Sequence, residues 1–173
     1  GYSCVLGKCA QPVGCTSSSQ CNSGFTCYQG NCILGSPNNN GCFIEGTEII
    51  TSSGEKSIED ISVGDKVLSY NEEEKILEYS EVSKTFVHES EGYLILNGEL
   101  KVTGNHPFYL SGNLVRADEL KVGDSLEGVN KKVRVNSVEK ISGNFVVYNL
   151  EIEGNHNYFA NGILVHNKGP SGI

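Results

Sequence analysis

The 173-residue sequence has no methionine, no long apolar run and no stripe of basic residues. Without a methionine the chain lacks an initiator, so we read it as an excerpt or a processed piece of a longer protein. Its longest apolar stretches, such as Phe145-Val146-Val147-Tyr148, are far shorter than the roughly 20 residues that span a bilayer. They predict neither a signal peptide nor a membrane-spanning helix, so we expect no membrane partner.

Basic residues are also scarce, with 13 Lys and Arg against 21 Asp and Glu, a net charge of −8. Every acidic residue lies after position 41. A negative balance without a basic surface keeps a protein soluble and argues against binding to nucleic acids. We therefore expect a monomer without a nucleic-acid partner.

Cysteines are concentrated at the start of the chain, where residues 1–41 hold six of the seven. Their even spacing in a short, loop-rich segment is typical of a disulfide framework in an oxidising compartment, which predicts a secreted or cell-surface protein. A zinc site is less favoured, because the segment has no C-x-x-C pair and no histidine. The disulfide candidates are Cys4, Cys9, Cys15, Cys21, Cys27 and Cys32.

These residues contain a repeat: Gly1-Tyr2-Ser3-Cys4 recurs as Gly24-Phe25-Thr26-Cys27 at an offset of 23. The complete unit, C-x5-C-x5-C-x4-C from Cys15 to Cys32, resembles the small cysteine-rich repeats of extracellular and cell-surface proteins. Its four cysteines allow three pairings, and the sequence leaves the choice open. We read residues 1–41 as a cysteine-rich flank that ends in a linker at 33–41, rich in Gly, Asn and Ser.

From Cys42 onward the pattern is that of a β protein, in which short apolar or alternating runs are separated by Gly, Asn and Ser. No window shows helical periodicity over a substantial length, so we predict an all-β fold. The 126 residues of 42–167 suffice for one domain with its own core. The predicted strands lie in 47–51, 66–70, 93–96, 100–102, 132–135 and 146–152.

A second repeat lies inside this β region: the segment 58–65 aligns with 117–124 at an offset of 59. The same offset places Ile49-Ile50 on Phe108-Tyr109. We infer two intertwined β subdomains related by an approximate two-fold axis. The alternative is a chance recurrence of the common turn Val-Gly-Asp, which the flanking matches disfavour.

Four motifs occur in a fixed order along 42–167. They are C-F-x-x-G-T from Cys42, T-x-x-H-P from Thr103, V-Y-N-L around Asn149, and H-N-Y-F-A-N-G-I-L-V-H-N from His156 to Asn167. Together they resemble the Hedgehog/intein (Hint) superfamily, most closely mini-inteins and bacterial intein-like domains. The resemblance implies a Hint-type, pseudo-two-fold β fold over 42–167, with residues 168–173 as a C-terminal flank.

The resemblance implies that the domain acts on its own flanking polypeptide, once per molecule. Cys42 would attack the Gly41 carbonyl and convert the peptide bond into a thioester by an N-to-S acyl shift. His106 would protonate the departing Cys42 nitrogen, while Thr103 and backbone amides would hold the developing oxyanion. No cofactor or metal is implied.

At the other end, the Asn167 side chain would attack its own carbonyl, forming a succinimide and releasing Lys168. His156 and His166 would donate to the leaving amine and activate the amide nitrogen, in an assignment that the sequence leaves open. Only 49 residues separate His106 from His156, so we expect no homing endonuclease.

Two departures from the family pattern bear on the outcome. Lys168 stands where splicing members carry Cys, Ser or Thr, so the branched ester should not form. The freed α-amine of Lys168 could instead attack the thioester directly and join the flanks, or hydrolysis could separate them. Asn149 stands where many inteins have Asp, and an amide cannot carry a proton as a carboxyl group can.

Three alternatives remain open at this stage. The Hint region could be an inactive passenger in a secreted cysteine-rich binding protein. Cys42 and the histidines could form a zinc site. A disulfide to Cys42 could also silence the thiol until it is reduced.

Overall fold

The computed structural model describes residues 41–167 completely and, by their backbone, four short strands before them. The chain divides into two compact units, 1–39 and 40–173. In the first unit, β1 (Ser3–Val5) pairs with β2 (Lys8–Ala10), and β3 (Phe25–Tyr28) pairs with β4 (Asn31–Leu34). The predicted disulfides, residues 35–40 of the linker and the flank 168–173 lie outside the described residues.

The two N-terminal hairpins agree with the repeat of 23 residues. Cys4 lies opposite Cys9 in the first hairpin, and Cys27 lies opposite Cys32 in the second. In both copies, the described strands therefore place two cysteines opposite each other.

The second unit forms one sheet of twelve strands, which confirms the all-β prediction. Its order is β13-β12-β10-β16-β15-β5-β7-β8-β14, with β11 on β10, β6 on β5 and β9 on β8. Among the described residues, the only helical elements are two single 3-10 turns, Ile58–Asp60 and Ala117–Glu119, and none is long enough to cross a membrane. The strands are β5 Glu48–Thr51, β6 Gly54–Ser57, β7 Lys66–Asn71, β8 Ile76–Leu96, β9 Leu100–Val102, β10 Pro107–Leu110, β11 Asn113–Arg116, β12 Ser125–Leu126, β13 Val133–Arg134, β14 Val138–Ile152, β15 Asn157–Ala160 and β16 Ile163–His166.

The predicted strands are present, but β8 and β14 extend well beyond the segments 93–96 and 146–152. The two strands pair with each other from Val138↔Leu96 to Ile152↔Val82, with a register shift between Ser142 and Phe145. Much of this long ribbon is exposed or half-buried. It therefore lacks the apolar alternation that marks a strand packed on a core.

The repeat predicted at an offset of 59 residues is present in the structure. Strands β5, β6 and β7 and the first 3-10 turn each begin 59 residues before β10, β11, β12 and the second turn. In both copies a glycine with positive φ follows the 3-10 turn: Gly64 at +91° and Gly123 at +104°. The Gly64 N–H donates to Val82 at 2.9 Å and the Gly123 N–H donates to Val135 at 2.8 Å.

The hairpin of β15 and β16 joins the two copies, because Ala160 pairs with Ile49 of β5 and Val165 pairs with Phe108 of β10. Its two-residue turn, Asn161-Gly162, has φ angles of +46° and +75°, which are typical of the tight type I′ turn that this dipeptide favours. The turn fixes the register of the hairpin, so it determines where the end of β16 lies.

Candidate active site

The start of the domain is held between β9 and β14, where Phe43 pairs with Val102 and Tyr148. Cys42 is buried, at 2% exposure. Its carbonyl accepts the Thr103 N–H at 2.8 Å, and its own N–H donates to Thr103 Oγ1 at 2.7 Å. Burial raises the pKa of the Cys42 thiol to about 12, so a nearby base is needed to generate a thiolate at neutral pH.

Thr103 contacts the nitrogen side of the Gly41–Cys42 bond. Its hydroxyl accepts the Cys42 N–H and donates its own proton to Asn105 Oδ1 at 2.8 Å. The expected hydrogen bond from Thr103 to the oxyanion would need the same hydroxyl proton, which Thr103 here donates to Asn105. Asn105 was not predicted, although it lies inside the T-x-x-H motif.

His106 is fully buried and lies against Gly41. A Cβ atom added to Gly41 would lie 2.1 Å from His106 Cα, so only glycine fits there without movement. Within the described residues, neither ring nitrogen has a hydrogen bond of standard geometry. Burial lowers the pKa of His106 to about 3, while the Gly41 backbone acts in the opposite direction. The imidazole is therefore neutral at neutral pH, and one of its ring nitrogens carries a lone pair that can act as an acceptor.

Asn149 lies on β14 next to Tyr148, which pairs with Phe43, the residue after Cys42. Its Oδ1 accepts the Tyr158 hydroxyl at 2.9 Å and the Leu150 N–H at 2.8 Å. Burial raises the pKa of Tyr158, and the charge of a Cys42 thiolate raises it further. Tyr158 is buried, and its hydroxyl connects Asn149 with the region of Cys42, a role that the sequence did not indicate.

Asn167 lies at the end of β16, where its N–H donates to the His156 carbonyl at 2.8 Å. Its side chain is buried, and neither Oδ1 nor Nδ2 makes a hydrogen bond within the described residues. Phe108 of β10 pairs with Val165, and continuing this antiparallel register by two residues brings Asn167 opposite His106. Asn167 and the turn that contacts Gly41 and Cys42 therefore lie at the same end of this strand pair.

The other two histidines of the predicted site, His156 and His166, lie next to Asn167 in the structure or in the sequence. His156 is exposed and has a φ of +54°; its carbonyl is the group that binds Asn167. His166 is half-buried, and its ring centroid lies 6.0 Å from that of Tyr109. Burial lowers the pKa of His166, a charged His156 lowers it further, and the Glu72 carboxylate raises it.

Two asparagines that the sequence did not single out anchor the turn at His156. Asn157 pairs with the Tyr70 backbone, accepting its N–H at 2.8 Å and donating to its carbonyl at 2.9 Å. Asn155 Nδ2 donates to Ser69 Oγ and to Glu78 Oε1, each at 2.8 Å. The sequence could have indicated both residues by position, because Asn157 lies within the H-N-Y-F motif and Asn155 lies just before it.

The site residues do not form a metal centre. Across residues 41–167, no three His, Cys, Asp or Glu side chains are placed to hold a metal ion. The alternative of a zinc site made from Cys42 and the histidines therefore finds no support in this part of the chain.

Several known proteins resemble this chain in sequence or in fold. A bacterial intein-like domain from Clostridium thermocellum shares 34% identity with a TM-score of 0.68, covering 73% of this chain and 98% of that one. A DnaB intein from Synechocystis shares 26% identity with a TM-score of 0.65, covering 74% and 99%. A DNA polymerase from Thermococcus aggregans is 30% identical over 101 residues, which are 58% of this chain and 5% of the polymerase.

The chain thus spans a small fraction of the curated relatives that it matches. The model of the pretoxin HINT domain matches residues 48–169, well over half of the sequence. The fold, the solved intein-like structures and this match agree that the chain belongs to the pretoxin HINT domain family, with an intein-like Hint domain.

Proposed function

We propose that the domain of residues 42–167 cleaves the bonds Gly41–Cys42 and Asn167–Lys168 of its own chain and joins the two flanks. One observation carries this proposal: the turn of Thr103–His106 contacts Gly41 and Cys42, and the same turn lies opposite Asn167 across β10 and β16. Two bonds that are 126 residues apart in sequence are thereby served by one buried site.

The first step converts the peptide bond into a thioester. Neutral His106 accepts the Cys42 thiol proton, sulfur attacks the Gly41 carbonyl carbon, and the bond from that carbon to the Cys42 nitrogen breaks. The nitrogen then takes the proton from His106. The contact between Thr103 Oγ1 and the Cys42 N–H supports this step, because it fixes the leaving nitrogen beside His106.

The second step releases the C-terminal flank. Asn167 Nδ2 attacks the carbon of its own backbone carbonyl, and the bond from that carbon to the Lys168 nitrogen breaks. Nδ2 loses one proton and the Lys168 nitrogen gains one, which leaves a succinimide and a free α-amine. The buried side-chain amide of Asn167, which has no hydrogen bond within the described residues, supports this step because no other contact has to be broken first. The bond from the Asn167 N–H to His156 holds the backbone during the attack.

The third step joins the flanks without a side-chain nucleophile at Lys168. The α-amine of Lys168 has a reference pKa of roughly 7.7 to 8.0 and is therefore partly unprotonated near neutral pH. Attack of this amine on the Gly41 thioester forms a new peptide bond and returns the Cys42 thiol. If water attacks first, the flanks separate.

Intact-mass measurement of the full chain tests the proposal, before and after incubation, with and without a thiol reductant. We expect a fragment of 126 residues and a joined product of 47 residues, while Cys42→Ala blocks the first cleavage and Asn167→Ala blocks the second. The double variant is the matched control. A wild-type mass that stays as unchanged as that of the double variant under both conditions would contradict the proposal and favour an inactive passenger.

A further inference from the structure

The turn after β7, residues 72–75, makes a contact that its acidic sequence does not suggest. Tyr109 extends from β10 and donates its hydroxyl to Glu72 Oε1 at 2.7 Å. Tyr109 is only 8% exposed and packs with Phe159 and Leu164. The exposed carboxylate of Glu72 thus fixes the hydroxyl end of the buried Tyr109 ring.

The Tyr109 ring also lies near His166, the residue just before Asn167. Its centroid lies 6.0 Å from that of His166 at an interplanar angle of 52°. Because strand side chains alternate between faces, His166 shares its face with Leu164, whereas Asn167 lies on the face of Val165. The His166 ring therefore packs beside Tyr109, on the face opposite that of the Asn167 side chain.

We propose that Glu72 and Tyr109 are positioning residues for the C-terminal step, which fix the ring of His166 for proton transfer at the Asn167–Lys168 bond. This inference rests on the proposed function. Neither residue touches the reacting atoms; both act through His166. Tyr109, which is itself hydrogen-bonded to Glu72, restricts the His166 ring. The ring therefore loses less conformational entropy when it reaches its reactive orientation.

The charges around His166 give this contact a second effect. Glu72 raises the pKa of His166, against burial and against the charge of His156. Glu72 thereby favours the protonated ring that a leaving amine requires. Among residues 41–167, the charged and titratable groups facing this region are Glu72 on the turn after β7, Tyr109 on β10, His156 before β15, His106 before β10, and Tyr70, Lys75 and Glu127 beside an adjoining cavity of about 470 Å³.

The first test measures C-terminal cleavage in a Cys42→Ala background, where the thioester cannot form. We expect Glu72→Gln and Tyr109→Phe each to slow release of Lys168 about tenfold, a part of the 10²–10⁴ that general acid–base catalysis typically contributes. Glu72→Gln should also move the pH profile of the rate to lower pH, and Glu72→Asp should restore much of the rate. Glu73→Gln, on the same exposed turn, is the matched control and should leave the rate unchanged.

N-terminal thioester formation, measured in an Asn167→Ala background, should be the same with and without the Glu72 and Tyr109 changes. Equal slowing of both steps would mean a general structural defect, and unchanged C-terminal rates and pH profiles would mean no positioning role. Either result would overturn the inference.

A measurement that needs no activity separates this inference from the proposed function. In a Cys42→Ala, Asn167→Ala protein, the imidazole nitrogen resonances of His166 can be titrated by NMR. Glu72→Gln should lower the midpoint of His166 relative to the background and to Glu73→Gln. An unchanged midpoint refutes the effect of Glu72 on His166 even if the wild-type protein cleaves itself. A shifted midpoint together with no cleavage of the wild-type chain refutes the proposed function, and with it the positioning role, while the effect of Glu72 on His166 stands.

Discussion

The copy of the repeat that begins at Glu48 and the copy that begins at Pro107 share the same backbone frame but differ in their side chains. The Ile58 N–H donates to the Thr47 carbonyl at 2.8 Å, and 59 residues later the Ala117 N–H donates to the His106 carbonyl at 2.9 Å. Thr47 and His106 are thus structural counterparts, both buried and both immediately before a strand.

The side chains at these equivalent positions explain why one copy is the candidate for chemistry. In the first copy, the Thr47 hydroxyl donates to the carbonyl of Ile44 at 2.7 Å and so only closes its own turn. In the second copy, Thr103 stands at the position of Ile44 and binds the Cys42 N–H, while His106 faces Gly41. The same backbone structure forms with either set of side chains. The fold therefore does not require the polar groups of the second copy, and their proposed role lies in the reaction.

Replacing His106 by the residue of its counterpart should have the largest effect. In an Asn167→Ala background, His106→Thr should slow thiol-induced cleavage at Gly41–Cys42 by about 10² to 10⁴, because it removes the proposed proton acceptor. The rate of release of the N-terminal flank by an added thiol measures this step. Thr47→Val in the other copy is the control, and a similar loss from both changes would contradict the distinction between the copies.

Adding a methyl group to Gly41 should also impair the first step. The Cβ of Gly41→Ala would lie 2.1 Å from His106 Cα, a backbone atom that cannot move aside easily. Since a misplacement of about 1 Å can cost about a hundredfold in rate, we expect a loss of that order in the same assay. Gly104→Ala would meet only the Asp118 side chain, at 3.2 Å, and should cost far less. Equal rates for the two variants would show that Gly41 does not need this close contact.

The neutral state of buried His106 should make stability depend on pH. The pKa of His106 falls from 6.5 to about 3 on folding, so between these values the unfolded chain binds a proton that the native protein does not. Stability is therefore complete above about pH 6.5 and falls as pH decreases, by up to about 1.4 kcal/mol per pH unit for this one group.

Denaturant unfolding of the Cys42→Ala, Asn167→Ala protein with and without His106→Gln would measure this dependence. The variant should lose less stability between about pH 7 and about pH 4. Carboxylates such as Asp65, whose pKa is lowered by the Ser62 backbone and by Lys56, titrate equally in both proteins and cancel in the comparison. Parallel pH profiles would mean that the pKa of His106 does not change on folding.

The equivalent glycines of the two copies should respond alike. An alanine at Gly64 would have open space around its Cβ, and at Gly123 it would meet only an Arg134 nitrogen at 3.9 Å. The cost of each change therefore comes from the positive φ alone, about 1–2 kcal/mol of the free energy of unfolding. Thermal unfolding of the two variants in the inactive background should give similar losses, and a large difference would argue against equivalent turns.

Local patterns in the sequence predicted most of the fold. The repeated Val-Gly-Asp turns and the alternating runs of β5, β7 and β9 identified the strands and the two copies, because a turn glycine or an apolar alternation is a property of neighbouring residues. Of the long ribbon of β8 and β14, only the segments 93–96 and 146–152 were predicted. Its outer residues are stabilised by pairing with each other and bury little apolar surface, so their sequence carries a weak signal.

The sequence by itself determined the candidate nucleophile Cys42, the terminal Asn167 and the order of the motifs between them, since these depend only on residue type and spacing. Tertiary structure decided that Thr103 faces the Cys42 nitrogen, that Tyr158 links Asn149 with the region of Cys42, and that Glu72 holds Tyr109 beside His166. It also placed Asn167 opposite His106, through the pairing of β10 with β16. Such contacts join residues far apart in the chain, and their geometry follows from strand register, which no local stretch of sequence specifies.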